Sequence, residues 1–294
     1  MRYKQGFLSH LFNVFLYILM LCIVVIMLYP MLNVLSLSIS NARLVSQGVI
    51  TWYPREANLS AYKLLLGNPQ IWIDYKNTIL YAVVGTFITL LITSLMAYSL
   101  ATEDFIFKKF LLIFVTVTMF FSGGTIPTFL LIRKLNMINT LWAMVLPGAV
   151  SAYTVIIFRT FFESLPKDLR ESAYLDGAND FVILFRIILP LSKPLLATFG
   201  LFAAVSHWNG WFDALLYLND QNKYPIQMFL RNILFVTGAS NTGPDAAALI
   251  NNGMMNPLNL QMAAVIVTIA PILLVYPFIQ KYFVKGIMIG AIKG

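Results

Sequence analysis

Six long stretches of the 294-residue sequence carry no Asp, Glu, Lys or Arg: 5–42, 77–102, 110–132, 135–158, 194–212 and 246–280. A bilayer crossing takes roughly 20 predominantly apolar residues, and a charge at its centre costs several kcal/mol. The runs predict spans at about 8–39, 77–102, 110–132, 139–162, 194–218 and 260–281. In hydrocarbon, backbone groups must be satisfied within a helix or a closed barrel, and the run from Tyr81 to Leu100 lacks the alternating polarity of a barrel strand. The expected fold class is an all-α membrane protein, a single transmembrane domain of six helices over residues 1–294.

Composition excludes the other classes. Residues of the AVILMFWYC set make up 59% of the chain and charged residues only 11%, whereas a soluble domain carries about a quarter charged residues. A formal net charge of +8 would suggest nucleic acid for a soluble protein. In a membrane protein, Lys and Arg collect in cytoplasmic loops, so the expected partner is the lipid bilayer, with no nucleic acid. Cys22 is the only cysteine, and His10 and His207 are the only histidines, so neither an internal disulfide nor a bound metal is expected. Arg2 and Lys4 precede the first run as in a secretory signal, but a signal core is about 7–15 apolar residues and this run is longer; it reads as an uncleaved span.

An even number of spans puts both termini on one face. If that face is cytoplasmic it receives twelve of the 20 Lys and Arg, including Lys108, Lys109, Arg159, Lys167, Arg170 and Arg186. The other face receives eight, of which Arg133 and Lys134, in a short loop, go against the charge rule. External loops are then expected at about 41–76 and 219–259, and a short, flexible, basic cytoplasmic tail at about 282–294.

Between the fourth and fifth spans, residues 163–193 concentrate Glu163, Lys167, Asp168, Arg170, Glu171, Asp176, Asp180, Arg186 and Lys193. Ser164-Leu-Pro166 can open a short helix that Gly177 stops; Asn179 and Asp180 can cap a second helix, which Pro190 and Pro194 end or bend. The predicted knob presents the small residues Ser172, Ala173, Gly177 and Ala178 beside Arg170 and Glu171, a surface another backbone could approach. From composition alone, an ordinary cytoplasmic loop is the favoured reading.

The spacing Glu171-Ser-Ala173, Gly177, Ile187-x-Leu189-Pro190 resembles the EAA loop of membrane subunits of binding-protein-dependent ABC importers, with Ser172 in place of alanine. Ile126-Pro127, Asn136-Met-Ile-Asn139, Trp208-Asn209 with Trp211-Phe212, and Phe283-Val-Lys285-Gly286 are similar to the shorter permease of the maltose type, in its oligosaccharide branch. The resemblance implies a type I ABC importer transmembrane fold in a bacterial cytoplasmic membrane. It also implies a coupling helix in the cleft of a cytoplasmic ATPase dimer, a second homologous permease, and an extracytoplasmic solute-binding protein that delivers a carbohydrate. It assigns ATPase coupling to Glu171, Ser172, Ala173, Leu175, Asp176, Gly177, Ala178, Ile187, Leu189 and Pro190, and ATPase contact by the tail to Lys285, Gly286 and Lys293. It assigns binding-protein contact to the loop carrying Thr237, Gly238, Asn241, Asn251 and Gly253.

Trp208, Asn209, Trp211 and Asp213 are either an interfacial aromatic belt or part of a sugar pathway. The chain has no Gly-Lys-Ser or Gly-Lys-Thr and therefore no P-loop of its own; no cofactor is expected on it, with ATP and Mg held by the partner ATPase. Neither a nucleophile elbow nor a second histidine near His207 points to catalysis, so no enzyme is expected. The alternative class is an ion-coupled secondary sugar transporter, for which Asp213 is the one carboxylate within the expected spans.

Overall fold

The computed structural model describes residues 7–103, 105–236 and 256–291, with side chains placed for 9–103, 105–235 and 256–277. Among the described residues every regular element is helical: α1 (Phe7–Ile39), α2 (Ala42–Ser46), α3 (Ser60–Gly67), α4 (Pro69–Ala101), α5 (Lys108–Phe120), α6 (Thr125–Lys134) and α7 (Leu141–Val145). There follow α8 (Ala152–Glu163), α9 (Asp168–Leu175), α10 (Asp180–Leu191), α11 (Lys193–Trp208), α12 (Phe212–Tyr217), α13 (Ile226–Arg231) and α14 (Pro257–Ala291). Ser9–Ile39, Pro69–Ala101 and Pro257–Pro277 are each long and apolar enough to cross a membrane.

The other apolar runs are interrupted where their sequences disfavour a continuous helix. The expected third span divides into α5 and α6, bent by 120° across Phe121–Gly124, where Gly124 has φ +83°. A side chain strains that conformation, so glycine belongs there. The fourth divides at Leu146–Ser151, which contains Pro147-Gly148. The expected fifth span, 194–218, divides at Asn209–Trp211 between α11 and α12, and before it α10 meets α11 at an 84° bend at Ser192, two residues before Pro194, where a bend was expected.

The chain forms two compact units. The first comprises residues 1–69 and 230–270. Most of α1 exposes Leu, Ile, Val, Met and Phe on all sides, as a lipid-facing helix does. Its C-terminal end instead enters a polar knot. The Asn259 amide donates to the carbonyls of Leu37 at 2.6 Å and Ser40 at 3.1 Å, while its oxygen accepts from Asn256 N–H. A helix end leaves its last four carbonyls without intrahelical donors, and Asn259 supplies two.

The second unit, residues 70–229 and 271–294, carries the predicted knob. In each unit the segments expected as loops are more ordered than their composition suggested. The 41–76 stretch contains α2, α3 and the first turns of α4. The stretch 219–225 is held on α4: Gln70 donates to Gln221 O, Asn77 to the carbonyls of Asn222 and Tyr224, Tyr81 to Lys223 O, and the Thr78 hydroxyl accepts from Ile226 N–H. Helical spacing places these α4 side chains on one face. Asp74 lies on the same helix, before the expected span 77–102, is buried, and accepts from Gln70 at 2.8 Å. The chain is helical through Ala291, whereas a flexible tail was expected from residue 282.

Candidate functional site

The knob is built by two capping devices. At its glycine, Ala178 N–H returns to Ala173 O at 2.9 Å and Gly177 N–H to Tyr174 O at 3.0 Å, with Gly177 at φ +79°. This is the Schellman arrangement, which ends α9 and satisfies its orphan carbonyls. Space around Gly177 is open: a Cβ there would meet nothing within 4 Å, so its backbone conformation, not crowding, demands glycine. After the turn, Asn179 Oδ1 accepts Val182 N–H at 2.9 Å and starts α10. A π-helical turn at Leu184–Ile188 precedes Pro190, which lacks an N–H, and Leu189 N–H reaches back five residues to Leu184 O.

Four side chains fasten the knob to neighbouring helices. The Arg170 guanidinium donates to Ala101 O at 3.5 Å and Phe162 O at 3.4 Å, and stands 5.2 Å from the centre of the Tyr98 ring. A cation thus sits at the C-terminal ends of α4 and α8, where the helix dipoles are negative. Asp180 Oδ1 accepts from Tyr98 at 2.8 Å and Tyr174 at 2.6 Å. Bonding to that carboxylate raises the Tyr174 phenol above its ordinary pKa. Lys167 pairs with Glu103 just beyond the end of α4. Glu163, at the end of α8, binds Arg159 at 2.9 Å and Lys108 of α5 at 3.3 Å. A cavity of about 690 Å³ beside the knob is lined by Ser99, Thr102, Arg170, Glu171, Tyr174 and Asp180 among others.

Beneath the straps, Ala173 packs with Ala97, Tyr98, Phe158, Phe162, Ile183, Leu184, Ile188 and Leu195. The sequence reading placed Ala173 on the outer surface; it is 8% exposed and faces inward, because a small residue there lets α9 lie close to α4 and α8. Ala178 and Ile187 also pack against this cluster. The outward face consists of Leu169, Glu171, Ser172, Tyr174, Leu175 and Asp176, with Leu175 89% exposed.

The other expected residues divide. Asp213 opens α12 and lines a second cavity of about 290 Å³ together with His207 and Gly210. Trp208 lies 6.4 Å from Tyr75, Trp211 packs edge-on to Phe212 at 5.6 Å, and Asn209 accepts from Gln227 at 3.3 Å; none of these three lines the cavity. Lys285 and Gly286 lie on α14. Thr237, Gly238, Asn241, Asn251, Gly253 and Lys293 lie outside the described residues.

The sequence reading missed Arg170 as a strap, the polar face of α4 and the second cavity. The spacing of Gln70, Asp74, Asn77, Thr78 and Tyr81 was a usable signal for the second of these, since polar side chains three or four residues apart on an apolar helix need partners.

A charged, double-capped knob fastened to the ends of membrane helices has a counterpart among known proteins. Residues 94–289 match the family described as "Binding-protein-dependent transport system inner membrane component". The chain belongs to this family. It is a permease of the maltose type of ABC importer, a multi-pass plasma-membrane translocation subunit and not an enzyme. The permease is 38% identical to the polygalacturonan/rhamnogalacturonan transport system permease protein YtcP of Bacillus subtilis, covering 97% of this chain and 99% of that one. It is 39% identical to protein LplC of the same organism over 92% of this chain and 90% of that one. Its type I importer fold matches a chain in the crystal structure of a bacterial ABC transporter involved in the import of the acidic polysaccharide alginate, with TM-score 0.89, 32% identity, and coverage of 96% and 99%.

Proposed function

We propose that this permease is the shorter of two homologous membrane subunits in an importer of a carbohydrate oligomer, and that residues 163–193 couple it to an ATPase dimer. In this reading the chain crosses the bacterial cytoplasmic membrane six times with both termini inside. An extracytoplasmic solute-binding protein delivers the cargo, touching the loop that contains Thr237, Gly238, Asn241, Asn251 and Gly253. ATP and Mg reside on the ATPase, and Lys285, Gly286 and Lys293 contact it from the tail. The saccharides named for the relatives support the cargo class.

The observation that carries the reading is the fastening of the knob to three helices at once. Work from a separate motor can enter this chain only through contact, and a contact transmits motion only if it does not yield. Arg170 joins α9 to the ends of α4 and α8, and Asp180 ties the following turn to Tyr98. A partner that grips Glu171, Ser172, Leu175 and Asp176 would therefore move the helices and not merely the loop. Gly177, Ala178, Ile187, Leu189 and Pro190 shape the grip, and Ala173 seats it.

The test uses the assembled transporter in proteoliposomes. Leu175→Asp alters an exposed side chain and should leave the fold intact, yet reduce binding-protein-stimulated ATPase activity and uptake on the order of tenfold, the loss of one buried apolar contact plus an unpaired charge. Normal stimulation in Leu175→Asp and Glu171→Ala together would refute the coupling assignment. Uptake driven by ATP should also survive a protonophore, which would abolish proton-coupled transport.

A further inference from the structure

Around the cavity of about 290 Å³, the half-buried Asp213 and the exposed Tyr153 and Ser206 stand beside Thr89, whose buried hydroxyl has no hydrogen-bond partner among the described residues. This is unusual for the permease's own chemistry. Thr78, Thr116, Thr160 and Thr198 each return their hydroxyl to the carbonyl four residues earlier, the ordinary solution for threonine in an apolar helix. Thr86, Thr89 and Thr93, along one face of α4, do not. A buried polar group left unpaired costs about 1–3 kcal/mol, so Thr89, the one of these three that lines the cavity, is poised for an exchangeable partner there.

The remaining walls define that partner. Tyr81, Phe199 and Phe202 contribute aromatic surface. His207 is pinned in place by Gly85, where a Cβ would stand 2.6 Å from two ring carbons. Asp213 is the one carboxyl group in the lining, which contains neither Lys nor Arg. The volume is near the lower bound of ligand cavities, about 300–1,000 Å³, and suits one sugar ring, not a chain.

We propose that this cavity is a subsite for a single neutral pyranose unit, with the apolar face of the ring on the aromatic wall and its hydroxyls shared among Asp213, Tyr153, Ser206 and Thr89. The proposal rests on the carbohydrate reading above and narrows it. Asp213 accepts hydroxyl protons but repels the carboxylate of a uronic acid, and no Lys or Arg in the lining offsets it. This permease therefore admits a neutral ring at this point even though relatives are named for acidic polymers.

The assembled transporter, purified in nanodiscs without its binding protein, is titrated with maltotriose, xylotriose, cellotriose and trigalacturonate. At least one neutral probe is expected to bind about tenfold more tightly than trigalacturonate, the value of roughly one charge-assisted hydrogen bond. Asp213→Asn should weaken that probe about tenfold and erase its margin over trigalacturonate; Tyr153→Phe should weaken it severalfold. Unaltered size-exclusion elution and thermal unfolding of both variants verify their folding. Equal or tighter binding of trigalacturonate, failure of all three neutral probes, or unchanged affinity in Asp213→Asn overturns the subsite. Proteoliposome uptake separates the two levels: saccharide uptake that Asp213→Asn leaves unchanged removes only the subsite, whereas no saccharide uptake by wild type removes the carbohydrate reading.

Discussion

Helix α4 passes through two polar regions that treat their side chains in opposite ways. Around residues 98–103, the Tyr98 hydroxyl, Ala101 carbonyl and Glu103 carboxylate each have a partner on or beside the knob. Around residues 86–93, three threonine hydroxyls have none among the described residues. Saturated bonds resist displacement and so suit the transmission of force. Unsaturated ones store free energy that a visitor can release, and so suit binding that must be reversible. In the proposed function, the difference separates a joint from a passage within one helix.

The sharpest way to break this contrast is to cut the joint. Arg170→Met keeps much of the side-chain length but removes the cation from two helix ends. Bonds to charged groups contribute about 1.5–3 kcal/mol, so stimulated ATPase activity of the assembled transporter should fall by a factor of ten or more. Arg170→Lys should recover only part, since one ammonium lacks the planar fork that reaches two carbonyls. Full activity in Arg170→Met would make the joint ornamental.

A matched pair of hydroxyl deletions sharpens it next. Tyr98→Phe leaves Asp180 with Tyr174 alone and should lower stability by about 1–2 kcal/mol in thermal unfolding of the purified transporter. Thr89→Val removes a hydroxyl that has no protein partner, with a methyl of nearly the same size, and should be neutral or stabilising by up to about 1 kcal/mol. Equal losses in the two would mean that the α4 threonines are satisfied after all.

At the knob's own turn, Gly177→Ala meets open space, so its cost should be the conformational one of about 1 kcal/mol. Gly177→Asn should cost less, because asparagine tolerates φ near +60°. Measured by the same unfolding assay, a far larger loss in Gly177→Ala would imply that the turn packs against something.

How far these features could be read beforehand follows from what bears the signal. The EAA spacing was legible because it consists of side-chain identities at fixed intervals, from Glu171 to Pro190. The stop at Gly177 and the start at Asn179 were legible because capping has its own residue preferences. Arg170's role was not, since its acceptors are the carbonyls of Ala101 and Phe162, and any residue has a carbonyl. Ala173 looked like surface because charged neighbours surround it in sequence, while helical geometry turns it inward. The break at Phe121–Gly124 was hidden by hydropathy, which averages over Gly123-Gly124 without registering their freedom to turn.

The smallest expected effect concerns the joint's outermost strap. The Lys167 hydrogen bond, together with its charge, holds the Glu103 carboxyl below the usual carboxylate range, and Glu103 in turn raises the Lys167 ammonium above its ordinary value. A depressed carboxyl adds stability above its unfolded pKa and loses it as pH falls through the lower folded value; a raised ammonium adds stability below its unfolded pKa and loses it as pH rises through the higher folded value. The pair therefore contributes at neutral pH and fades at both extremes. Both side chains are largely exposed, so salt should weaken the contribution further. Unfolding of Glu103→Gln, compared with wild type at low and high salt and at neutral and acid pH, should show a small neutral-pH deficit that disappears in salt and in acid. A salt-insensitive deficit as large as that of Tyr98→Phe would relocate the strength of the joint from its buried bonds to its solvated charges, and the contrast with the threonine face would then no longer be one of saturation.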